Sequence, residues 1–193
     1  MTERRLTRGS LVRGGLALAG GSAALAAWPL PTSSAPSAKQ DAAILRFGLL
    51  VEDLQAAFYA DALDRGALSG ELLEFARVVG RHERAHAAHI RKALGAGAPT
   101  APRFDFGEAS AGPTNFTRTA IKLEDLGLAA YNGAATSLTA ATLADAARIV
   151  SVEARHAAWI RDLAGALPAP RAADRAISAR EAKAAIDRTG FVR

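Results

Sequence analysis

The chain of 193 residues contains no cysteine, and its single methionine is Met1. The lack of cysteine excludes disulfides, thiolate zinc sites, cysteine-ligated iron–sulfur clusters, a cysteine nucleophile and a lipoprotein-type anchor. The lack of internal methionine removes any thioether ligand for haem or copper. Aromatic residues make up only 6% of the chain, too few for a stacking platform that reads sugars or single-stranded nucleic acid. A dense basic stripe is also missing. The net charge is +5, but residues 1–40 carry +4 of it and residues 41–193 only +1, so nucleic acid is not an expected partner. The longest apolar run, Gly14 to Ala27, is 14 residues, short of the about 20 that span a bilayer.

What is present begins with an address. Residues 1–40 combine a basic start, the Gly- and Ala-rich run, an Ala24-Leu25-Ala26 motif and a Pro/Ser/Ala stretch, the order of an export signal followed by a linker. The segment resembles a twin-arginine signal, with Arg4-Arg5 as one candidate pair; the stretch from Thr7 to Arg13 fits the usual spacing better but has Gly9 in place of the second arginine. The expected location is therefore outside the cytoplasm: periplasm, cell envelope or extracellular.

Hydrophobic residues are 50% of the chain, enough for a packed core. From Asp41 onward alanine is abundant and apolar residues recur at helical spacing. The pattern predicts long helices over 41–65, 70–94, 116–138 and 141–165, and a short one over 178–188. Two short joins and one Pro- and Gly-rich loop of about 20 residues imply an all-α antiparallel four-helix bundle with a long crossover between the second and third helices. The bundle is expected over 41–168, and 169–193 is read as a C-terminal tail with a solvated helix.

An internal repeat carries the chemistry. VEDLQAAFY (51–59) matches LEDLGLAAY (123–131) at a shift of 72, and HERAHAAHIR (82–91) matches VEARHAAWIR (152–161) at a shift of 70. One helical hairpin is thus repeated, and the two copies are expected to pack about a pseudo-two-fold axis. Glu52 and Glu124 sit within apolar stretches, where a carboxylate is costly unless it is paired or bound to a cation. Four converging carboxylates balance two divalent cations, with two neutral imidazoles completing the set. In Glu83-x-x-His86 and Glu153-x-x-His156 the two ligands lie one turn apart on one face, and Glu52 and Glu124 are placed to bridge from the other helices. The competing reading is an alanine-rich bundle with chance surface Glu and His.

This order of residues resembles the ferritin-like di-iron carboxylate superfamily, and most of all its small exported bacterial members of the desiccation-related type. The resemblance covers residues 41–165. It implies a ferritin-like fold holding two iron ions (or manganese), with no catalytic residue beyond the ligands Glu52, Glu83, His86, Glu124, Glu153 and His156. It also implies that Tyr59 and Tyr131, two turns beyond Glu52 and Glu124, hydrogen-bond metal-bound carboxylates; core packing is the alternative. Many relatives place Asp before the Glu of Glu-x-x-His to orient the histidine. Here His82 and Val152 stand there, so Asp53 and Asp125 become the candidate orienting groups, while His82 and His89 are read as structural or surface residues. Asn132-Gly133 is expected to kink or end its helix early.

Three functions remain open. One is redox chemistry, as a ferroxidase or with O2 or peroxide, using an unidentified electron donor. The second is a non-catalytic metal-binding or stress-protective bundle. The third is a helical interaction module without metal. Rubrerythrin-style electron entry lacks its cysteines, and haem binding of the bacterioferritin type lacks its methionine. A homo-oligomer is compatible with all three functions.

Overall fold

The computed structural model describes residues 35–193; the expected export signal and most of the expected linker lie outside the described residues. The chain forms α1 (Ala38–Asp64), α2 (Gly70–Leu94), α3 (Gly112–Ala134), α4 (Ala140–Leu163) and α5 (Ala179–Thr189). The first four make the expected bundle. The short joins set α1 against α2 and α3 against α4, and the crossover lets α3 run antiparallel to α1. No helix among the described residues is long and apolar enough to cross a membrane.

The helix ends differ from the sequence expectation for local reasons. α1 starts three residues early because Ser37, in extended conformation, accepts a hydrogen bond from the Gln40 amide at 3.3 Å. α3 starts at Gly112 because Pro113 lies in its first turn, where a missing N–H costs nothing. A proline read as a loop marker is thus a helix starter. α3 ends at Ala134, four residues before the expected 138, and continues as a single tighter turn. Gly133 has a packing role there. A Cβ at this position would run into the Ile177 carbonyl, so glycine lets the tail lie directly on α3. The Ile177 amide bonds the Ala129 carbonyl at 3.1 Å, and the Asn132 side chain bonds the Arg175 carbonyl at 3.3 Å.

The crossover and the tail are more ordered than expected. Phe106 of the crossover is buried against Phe58 and Phe191. Backbone bonds from Asp105 to Phe191 and from Arg193 to Arg103, both 2.9 Å, tie the chain's end to the crossover. The tail helix, read as solvated, instead buries Ala182 and Ile186. At the other end, Asp41 of α1 accepts bonds from the Thr139 amide (2.9 Å) and from the hydroxyls of Thr139 (2.5 Å) and Thr142 (2.6 Å), clamping α1 to the start of α4.

The core has two apolar zones. Phe58, Tyr59, Phe75 and Phe116 form an aromatic cluster toward the crossover end, with Trp159 packed edge-on against Phe75 at 5.1 Å. Leu49, Ala87, Ile90 and Ile149 form a smaller aliphatic cluster. Burying each large side chain contributes about 1.5–3 kcal/mol. The repeated glutamates lie between these zones.

Candidate metal centre

Glu52, Glu83, Glu124 and Glu153 are each 0% exposed. Each comes from a different helix of the bundle, and each sits on the face its helix turns inward. His86 and His156 follow one turn after Glu83 and Glu153. The six residues predicted from the repeat therefore meet. They form two overlapping clusters, Glu52–Glu83–His86–Glu153 and Glu83–Glu124–Glu153–His156, with the donor atoms of each within 4.8 Å of one another. Such groups could hold metal ions. Glu83 and Glu153 belong to both clusters, whereas Glu52 and Glu124 belong to one each. This corrects the expectation that Glu52 and Glu124 bridge: the shared carboxylates come from the same helices as the histidines.

Contacts within the clusters converge rather than pair off. His156 Nδ1 lies 3.0 Å from Glu83, 3.3 Å from Glu124 and 3.9 Å from Glu153, none aligned as a hydrogen bond. His86 Nδ1 lies 3.1 Å from Glu153, 3.2 Å from Glu83 and 3.3 Å from Glu52. Glu52, Glu83, Glu124 and Glu153 all keep buried oxygens without a hydrogen-bond partner. Orphaned buried carboxylate oxygens are costly, and a cation at their common centre satisfies them. Oxygen donors with imidazole nitrogen suit iron or manganese.

The electrostatics agree. Burial, together with the charge of neighbouring carboxylates, pushes Glu83 and Glu153 well above the usual carboxylate range. Burial opposes a charged His86, but the close carboxylates of Glu153, Glu52 and Glu83 outweigh it and push its pKa up to about 12. Without a cation, the cluster gathers protons instead.

The resemblance to ferritin-like proteins, the repeat and this geometry point the same way, and sequence comparison decides the family. Residues 40–166 match the ferritin-like domain. The chain belongs to the ferritin-like domain family. Among solved structures, it is similar to a conserved hypothetical protein from Mycobacterium tuberculosis, at 21% identity and a TM-score of 0.57, over 70% of this chain and 97% of that one. That likeness concerns the fold. No curated protein matches the chain.

Around the ferritin-like cluster, the tyrosines act across the bundle. Tyr59 of α1 donates to Glu124 of α3 at 2.5 Å, and Tyr131 of α3 donates to Glu52 of α1. Antiparallel packing of α1 and α3 explains the crossing: a residue two turns beyond one glutamate faces the other. Burial and the adjacent carboxylates raise both phenols well above their usual range, so both remain hydrogen-bond donors.

Asp53 and Asp125 do not orient the histidines. Asp53 pairs with Arg91 at 2.6 and 2.7 Å, and Asp125 pairs with Arg161. One residue beyond an inward glutamate, the helix has turned about 100°, so each aspartate faces the arginine of its own hairpin instead. Both arginines are repeated in the sequence, a signal that could have revealed the pairs. His82 corrects the reading in the other direction. Its Nδ1 lies 2.9 Å from His156 Nε2, so it contacts a cluster residue and is not a free surface side chain. His89 is half exposed and 3.9 Å from Asp145, as a surface residue.

Gln55 was not anticipated. It is buried, and its amide donates to Glu124 at 3.2 Å. Its place in an otherwise apolar stretch of a buried helix face was the available signal.

Proposed function

We propose that this ferritin-like protein binds a dinuclear iron or manganese centre and uses it for redox chemistry with O2 or peroxide, as a ferroxidase or a related oxidase. The observation that carries this reading is the pair of overlapping donor clusters sharing Glu83 and Glu153, with buried oxygens that no protein group satisfies. Glu52, Glu83 and His86 would hold one ion with Glu153, and Glu124 and His156 would hold the other with the same shared pair. When bound, such a centre supplies two electrons to O2 or peroxide.

The chain's own groups support that use. Tyr59 and Tyr131 keep a proton beside Glu124 and Glu52, where it stabilises the outer carboxylates in one orientation. The aromatic and aliphatic zones on either side exclude water from the four carboxylates. Residues 1–40 support export by a twin-arginine-type route, which carries folded proteins and would allow loading before export. Replacing Arg4 and Arg5 together by lysine is then expected to block export.

The test is elemental analysis of the purified full chain beside a Glu83→Ala, Glu153→Ala variant, followed by assays of O2 and peroxide consumption. About two iron or manganese atoms per chain, lost in the variant, with turnover on iron loading, is the expected result. Two bound ions without turnover would leave a metal-binding or stress-protective bundle. No uptake of either ion would overturn the proposal.

A further inference from the structure

The two repeats agree at the six candidate ligands, and two of the positions where they differ bond a cluster residue; both of these favour the same cluster. The first is Gln55, whose counterpart at the shift of 72 is Gly127. The amide of Gln55 and the hydroxyl of Tyr59 both donate to the same oxygen of Glu124, leaving the other oxygen toward His156. Glu52, the counterpart of Glu124, receives only Tyr131. Glycine at 127 is what admits the amide. A Cβ there would stand 3.1 Å from Glu153 and 3.2 and 3.3 Å from the Gln55 amide atoms. The glutamine and the glycine therefore form one device, built from opposite repeats.

The second is His82, whose counterpart at the shift of 70 is Val152. His156 turns Nδ1 toward the carboxylates and Nε2 toward His82 Nδ1. For Nδ1 to offer its lone pair to a cation, the proton must sit on Nε2, and the His82 nitrogen accepts it there. The hydrogen bond thus fixes both the ring and its tautomer. The repeat offers His86 no such partner, since valine has no polar group. The His86 side chain is also the more open of the two, 12% exposed against 4% for His156.

Resting on the dinuclear reading above, we infer that the two metal positions are inequivalent: the position of Glu124 and His156 is preorganised and fills first, and the position of Glu52 and His86 is the weaker, exchangeable one. Outer hydrogen-bond partners of this kind each change metal affinity by about 10–100-fold. The tyrosines balance each other, and the two further partners, Gln55 and His82, both on one side, separate the stepwise dissociation constants by at least about tenfold. His82 and Gln55 are positioning residues, acting through His156 and Glu124.

The experiment is a titration of the metal-free full chain with Mn2+ alone, followed by calorimetry and by electron paramagnetic resonance. Two resolved steps are expected, with an isolated-ion spectrum at the first equivalent and a spin-coupled one after the second. His86→Ala should abolish the second step and keep the first. His82→Ala and Gln55→Leu should each weaken the first step about tenfold and alter its spectrum, which mere loss of stability would not do. Val152→His supplies the missing partner in the other repeat and should tighten the second step, an effect no unfolding can imitate. Two identical steps, or a first step lost in His86→Ala and kept in His156→Ala, would overturn the inference while leaving a dinuclear centre. No Mn2+ uptake by the folded chain would overturn the dinuclear reading itself, and the inference with it.

Discussion

The α1–α2 hairpin and the α3–α4 hairpin are two drafts of the same unit. They share an inward glutamate, a Glu-x-x-His turn, a tyrosine that reaches across the bundle and an outward Asp–Arg pair. They differ at Gln55 against Gly127, at His82 against Val152, and at Phe58 against Ala130. Their outer coverings differ too. Asp61 of α1 accepts from Ser110 of the crossover, whereas Gly133 at the matching place on α3 lies beneath the tail. What the hairpins share sets the charge of the centre. What they do not share decides which half of the centre is firm and what packs beside it.

The sharpest break of the symmetry uses the carboxylates. Glu83 serves both clusters and Glu52 only one. Glu83→Ala is expected to abolish uptake of both ions, and Glu52→Ala to leave one, as read by elemental analysis after dialysis. Equal losses in the two variants would show that the sharing is wrong.

Phe58→Ala makes α1 read like α3 at the matched position. Phe58 is fully buried, stacked on Phe116 at 5.5 Å and edge-on to Tyr59 and Phe106. Its truncation should cost about 3–5 kcal/mol in denaturant unfolding of the metal-free protein. The metal count should not change, because Phe58 belongs to neither cluster of candidate ligands.

Acidity separates the free protein from the loaded one. The raised values of Glu83, Glu153 and His86 mean that the free fold retains protons a cation must displace. Affinity should therefore rise with pH, about tenfold per unit for each proton displaced. The free protein moves the opposite way. A raised folded pKa contributes stability that is complete below the unfolded value, about 4.5 for Glu and 6.5 for His, and is lost as pH rises toward the folded value. The melting difference between Mn2+-loaded and free protein should widen from pH 6 to pH 8. A difference independent of pH would mean that the cluster does not titrate on binding.

The bundle and the six residues that meet in its core were legible in the sequence because a repeat displays whatever two hairpins hold in common, and a charge buried at matched positions is hard to produce by chance. The same logic hides whatever the hairpins do not share. His82 has no such signal because its counterpart is Val152, yet it alone of the two contacts a cluster histidine. Gln55, opposite Gly127 in the repeat, is hidden for the same reason. Asp53 and Asp125 pair with arginines instead of histidines, because repetition marks a residue as useful without saying which way it faces. The order of the crossover and tail was invisible locally, since it depends on Phe106 meeting Phe191 across 85 positions of sequence.

The smallest expected effect concerns those outward pairs, and it tests whether repeated residues carry equal weight. Asp53 has a side chain only 9% exposed and holds Arg91, which is 40% exposed; in the other hairpin the exposure is reversed, 44% for Asp125 and 15% for Arg161. Arg91→Met strands a buried carboxylate already raised by burial, so it should cost about 1–3 kcal/mol. Arg161→Met leaves Asp125 able to reach water, and a partly exposed pair is worth about 0.2–1 kcal/mol. Thermal or denaturant melts of the two variants should show this order. Neither should change the number or affinity of bound ions, since neither aspartate touches a histidine. A drop in metal affinity in either variant would restore the aspartates to the orienting role that His82 fills on one side alone.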